Sequence, residues 1–124
     1  MDIETFSELV ARSLESLPLE FKDRLENVQI DIEAWPSEEE LRDVGLSSGE
    51  RSSLLGLYHG VPLTERTSSY MAFPDRITIY MKPILLVAGN DESKIAEQVR
   101  HTVVHEIAHY YGIDDERLMD LGAY

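Results

Sequence analysis

The chain of 124 residues contains no cysteine. Disulfides and thiolate metal sites are therefore excluded, and any bound metal must be held by imidazole or carboxylate. No apolar run approaches the roughly 20 residues needed to span a bilayer, so no membrane partner is expected. The first ten residues, MDIETFSELV, lack the basic and apolar segments of a secretory signal, and a cytoplasmic location is expected. Cations are scarce: 11 Lys and Arg stand against 24 Asp and Glu, a formal net charge of −13. Nucleic-acid affinity rests on clustered Lys and Arg, so no nucleic-acid partner is expected either. The acidity favours solubility and draws divalent cations weakly toward the molecule. Hydrophobic content of 43% is ordinary, and the length suits one domain, residues 1–124, expected to act as a monomer.

Against these absences stands one dense stretch, HTVVHEIAHYYGIDD, from His101 to Asp115. Within it His105 and His109 are four apart, and on a helix such residues lie one above the other. Two imidazoles so placed can converge on one Zn²⁺. Glu106 is rotated by about 100° from His105, beside the metal and outside its ligand shell, where a general base belongs. A helix offers only two ligands at close range, whereas a catalytic zinc takes three and a water. Gly112 can adopt positive φ and turn the chain back, which makes Asp115 the natural third ligand. Asp114 and Glu116 flank it as alternatives. The expected cofactor is one Zn²⁺ per chain. Chance would give H-E-x-x-H alone in about 1–2% of such chains, but with Gly112 and Asp115 in place in fewer than about 1 in 10,000.

The motif HEIAHYYGID resembles the extended zinc signature of the zincins, with aspartate in place of the third histidine of metzincins. Over nearly its whole length the chain resembles the minimal zincin-like metallopeptidases, short bacterial proteins. The resemblance is carried by LLGLYHGVPLTER (Leu54 to Arg66), PDRITIY (Pro74 to Tyr80), VRHTVVHEIAHYYGI (Val99 to Ile113) and DERL (Asp115 to Leu118). It implies His105, His109 and Asp115 as metal ligands, Glu106 as catalytic acid/base, and a peptide or protein as substrate. Only nine residues follow Asp115, too few for a metzincin Met-turn or C-terminal subdomain, so a shallow cleft and short or flexible substrates are expected.

Periodicity predicts a helix from Asp2 to Leu17, with Ile3, Phe6, Val10, Leu14 and Leu17 on one face, and a short helix from Pro18 to Leu25. Val28, Ile30 and Ile32 alternate with polar residues as a strand, ended by Trp35-Pro36. Ser37 and Glu40 form a capping box for a short helix to about Val44, followed by a loop from Leu46 to Glu50. Leu54 to Tyr58, interrupted by Gly56, reads as a strand, with Val61 to Leu63 continuing a hairpin past His59-Gly60. Thr64 to Ser69 reads as a loop and Ile77 to Met81 as a strand. Pro83 to Ala88 reads as one helical turn or a buried strand, with the proline favouring the turn, Glu92 to Tyr111 as the motif helix capped by Asp91, and Asp115 to Leu121 as a last short helix. This order lacks βαβ alternation, so the expected class is α+β, a small three- to four-stranded mixed sheet packed against the motif helix.

Peptide is expected to add as a strand along the edge at Ile77 to Met81. His101 lies about 12 Å of helix rise from His109, too far to share its metal, and His59 is expected at the surface. Tyr70, Tyr80, Tyr110, Tyr111, Tyr124 and Arg76 are all candidates to stabilise an oxyanion. Two other functions compete with zinc-dependent peptide hydrolysis: a non-catalytic metal-binding interaction module and a metal-dependent ribonuclease. Glu106 argues against the first, and the charge against the second.

Overall fold

The computed structural model describes residues 1–60, 75–112 and 116. The first helix, α1 (Ile3–Glu15), starts where Asp2 accepts the Thr5 N–H at 2.8 Å. It buries Phe6, Leu9 and Val10, while Ile3, on the same side but at the first position of the helix, stays 45% exposed. Pro18 fixes the entry to α2 (Leu19–Arg24), whose Phe21 is fully buried. The first strand is β1 (Val28–Glu33). Helix α3 (Glu38–Asp43) begins at the expected capping box: Ser37 Oγ accepts the Glu40 N–H at 3.1 Å, and Glu40 Oε1 accepts the Ser37 N–H at 2.9 Å. The stretch read as a loop after it holds a 3-10 helix, Ser48–Ser53. The cause is a second Ser-x-x-Glu box, in which the N–H and Oγ of Ser47 both donate to Glu50 Oε1.

Two further strands complete the sheet, β2 (Gly56–His59) and β3 (Asp75–Tyr80), in the order β1-β3-β2. β3 runs parallel to β1, with Ile77 opposite Ile30, and antiparallel to β2, with Ile77 opposite Tyr58. The sheet is therefore mixed and three-stranded, and the class is α+β. One expectation is overturned. The strand at Ile77 lies in the centre with both edges paired, so no peptide can add along it; Met81 moreover begins the next helix. That helix, α4 (Met81–Ala88), runs two turns where one was expected, because Pro83 falls in the first turn, where its missing N–H costs nothing.

Strand side chains alternate between faces. Ile77 and Ile79 face one side and pack with Phe6 and Val10 of α1 and with Val99, Val103 and Ile107 of α5 (Glu92–Tyr111). Arg76, Thr78 and Tyr80 face the other, where the Tyr80 hydroxyl donates to Glu40 Oε2 of α3 at 2.6 Å. Trp35 is half-buried under the Arg51 guanidinium, 4.0 Å from its ring centroid. The expected hairpin extension at Val61 to Leu63, the loop Thr64 to Ser69 and, Glu116 apart, the final helix from Asp115 to Leu121 lie outside the described residues.

Candidate metal and catalytic site

Helix α5 carries the motif, and its ends are set locally. Asp91 Oδ1 accepts the Ser93 N–H at 2.9 Å, and Gly112 closes the helix at φ 71°, left-handed as its position requires. The rotation of the helix is set by its buried stripe: Ile95, Val99, Thr102, Val103 and Ile107. With these against the sheet, Glu106 falls at the margin facing β2, and His101, His105 and His109 line the next flank.

Glu106 is 19% exposed, and its Oε1 accepts the main-chain N–H of Tyr58 in β2 at 2.9 Å. Its Oε2 lies 3.9 Å from His109 Nδ1. Burial raises the carboxyl pKa above its ordinary value, opposed in part by the Tyr58 N–H and by His109. Tyr58 is itself firmly held. Its ring stacks on Tyr110 with centroids 4.3 Å apart and planes 14° from parallel, and its hydroxyl donates to Asp75 Oδ2 at 2.7 Å. Burial and that bond to Asp75 push the phenol well above its usual range. Tyr58, Gly60, Glu106, His109 and Tyr110 together line a recess of about 240 Å³.

The three histidines form two neighbouring pairs, and His101 is excluded from the His105–His109 pair by its helix rise from His109. His105 and His109 have ring centroids 6.2 Å apart and planes 87° from parallel. A metal–nitrogen bond of about 2 Å puts an imidazole centroid roughly 3.2 Å from the ion, so two rings sharing one lie within about 6.4 Å. The pair meets that bound, and His109, 74% exposed, has room to turn inward. His101 instead lies over His105, with centroids 4.2 Å apart and a tilt of 37°, as a ring contact. Among the described residues no group of three or more His, Asp or Glu could hold a metal. The predicted third ligand, Asp115, and its neighbour Asp114 lie outside them, and Glu116 is exposed. The described residues thus supply two imidazoles and no thiolate, donors of a type zinc accepts but short of the three that a catalytic site takes.

Of the oxyanion candidates, Tyr110 lines the recess. Arg76 and Tyr80 are on the far face of the sheet, Arg76 Nε 3.8 Å from Asp31 Oδ2. Tyr111 lies under Arg24, 4.8 Å from its ring, and Tyr70 and Tyr124 are outside the described residues. His59 is half-buried where a surface residue was expected, with Nε2 3.6 Å from Glu40 Oε2, and burial lowers its pKa. Sequence reasoning missed Tyr58, which acts on Glu106 through its main chain. The available signal was Gly56, a glycine within a strand, which marks close backbone approach.

A family model described as zincin-like metallopeptidase matches residues 25–123, which include β1 to β3 and all of α5. No curated protein matches the chain. A solved structure, a conserved hypothetical protein from Thermo thermophilus, is 30% identical with a TM-score of 0.55, covering 91% of this chain and 100% of that one. With the matched segment spanning sheet, motif helix and glycine cap together, the chain belongs to the zincin-like metallopeptidase family.

Proposed function

We propose that the protein is a zinc-dependent peptidase in which His105, His109 and Asp115 hold the metal and Glu106 is the general base. The observation that carries this reading is the hold on Glu106. Oε1 is fixed by the Tyr58 N–H, which leaves Oε2 as the oxygen turned toward His109. A helix that needed only to bind metal would have no use for a buried carboxylate at this position, aimed by a neighbouring strand. When bound, zinc supplies Lewis acidity, lowering the pKa of a ligated water toward about 7 and polarising a carbonyl. Glu106 Oε2 accepts the proton of the attacking water and delivers it to the leaving amine. Burial raises the basicity of the carboxylate and so favours the first transfer. Tyr58, Tyr110 and Gly60 wall the recess in which the scissile segment lies.

Glu106→Gln tests the reading, since it keeps shape and hydrogen bonding but removes the base. The variant should retain its zinc and lose cleavage of a peptide library by about 10²–10⁴-fold. Equal metal-dependent rates in both forms would refute Glu106 as base, and no metal-dependent cleavage by the wild type would favour the interaction module.

A further inference from the structure

We infer that Gly56 and Thr102 are a matched pair of positioning residues whose contact sets the distance between α5 and β2, and with it the aim of Glu106. The inference rests on the peptidase reading for its consequence in catalysis, but its geometry stands independently of it. A Cβ built on Gly56 would lie 2.7 Å from Thr102 Cγ2, 3.3 Å from the Thr78 carbonyl oxygen and 3.9 Å from Glu106 Cγ. The first separation is shorter than carbon atoms tolerate. The obstacle is stiff, because Thr102 is 7% exposed, β-branched and on the buried stripe of α5. Its hydroxyl is also occupied, with Oγ1 accepting from Gln98 Nε2 at 3.2 Å. Rotation about χ1 would either bring the hydroxyl to the place of the methyl or, with the β-hydrogen there, carry Oγ1 away from Gln98 and the methyl into the packed surroundings of the stripe. An alanine at Gly56 must therefore be met by helix and strand moving apart.

Glu106 is four residues after Thr102, one turn along the same helix, and Tyr58 is two after Gly56 on the same strand face. The bond from the Tyr58 N–H to Glu106 Oε1 thus lies one step along the same seam, and at 2.9 Å it has no slack to absorb a separation of several tenths of an ångström. The absence of a side chain at Gly56 is what lets the base reach a strand amide at all. Thr102 is the complementary half, since its methyl fills the space the missing Cβ leaves.

The test is a rescue cycle with the zinc-loaded full chain: Gly56→Ala, Thr102→Ser and the double variant. Serine keeps the hydroxyl but removes Cγ2, the atom in the way. Gly56→Ala should keep its zinc and lower kcat by about 10–100-fold with a smaller change in KM, as expected for a misplaced catalytic group. The double variant should recover most of the loss. The second readout is the Tyr58 amide resonance and its hydrogen-exchange protection, which report the bond to Glu106 directly. In Gly56→Ala it should move toward its position in Glu106→Ala, and in the double variant it should return. If Gly56→Ala alone fails to fold, folding of the double variant with the wild-type Tyr58 resonance supports the pairing equally well. An unmoved Tyr58 amide in a folded Gly56→Ala, or additive losses without rescue, overturns it. Should the wild type cleave nothing, the peptidase reading fails, and the amide resonance still decides whether the pair positions Glu106.

Discussion

Two glutamates reach from helices to strands on opposite faces of the sheet, and they are treated differently. Glu40 of α3 has both oxygens engaged. Oε1 accepts the Ser37 N–H at 2.9 Å, Oε2 accepts the Tyr80 hydroxyl at 2.6 Å, and His59 Nε2 stands 3.6 Å away. Glu106 of α5 lies deeper and, among the described residues, has one fixed oxygen, held by Tyr58, with the other turned to His109. Burial pushes both carboxyls up. At Glu40 the donors from Ser37 and Tyr80, aided by His59, outweigh it and the pKa falls, whereas at Glu106 burial prevails and the pKa rises. A carboxylate saturated with donors is a structural anion. One held by a single donor keeps a basic oxygen. The contrast separates what stabilises the fold from what the site can use.

The largest expected effect that sharpens this contrast lies on the α5 side. His109→Ala should remove most of the bound zinc, because two remaining ligands hold it poorly, and elemental analysis of the purified variant checks this. Unchanged zinc would remove the metal site from this helix. On the α3 side, Glu40→Ala should cost about 1–3 kcal/mol of unfolding free energy by denaturant titration, since it leaves the Ser37 N–H without the carboxylate half of the capping box and the buried Tyr80 hydroxyl without its acceptor. Its cleavage rate should be unaffected. A large loss of activity with intact stability would reverse the roles assigned to the two glutamates.

A smaller effect separates Glu40 by pH. Its folded pKa is lowered from 4.5, so its contribution to stability is present above pH 4.5 and lost as pH falls through the lower folded value. The stability gap between wild type and Glu40→Ala should therefore narrow below pH 4.5. A gap that widened there would show that the carboxylate is not stabilised in the folded state.

What was legible in the sequence follows the same division between local and distant. Helix α5, its Asp91 cap and its Gly112 stop were readable because each depends on residues within one turn. So was the Ser37–Glu40 box. The Ser47–Glu50 pair, of the same spacing, is not legible as a box because glycine and serines around it suggest a loop. Strand order was not readable: β3 pairs with β1 across more than forty residues, and nothing in the alternation of Ile77 and Ile79 says that both their edges are filled. Glu106 could be named from its spacing, but not what holds it, because Tyr58 contributes a main-chain N–H that every residue but proline possesses. Only the glycine two residues earlier betrayed the close approach.

The most direct test of the central claim, that Glu106 is a base held in place and not a structural anion, is to measure stability and cleavage on one variant. For Glu106→Gln, metal-free unfolding should be as stable as wild type or more so, because a buried carboxylate with a raised pKa is penalised at neutral pH. Metal-dependent cleavage should meanwhile fall by about 10²–10⁴-fold. A variant that unfolds more easily yet cleaves at the wild-type rate would contradict the account.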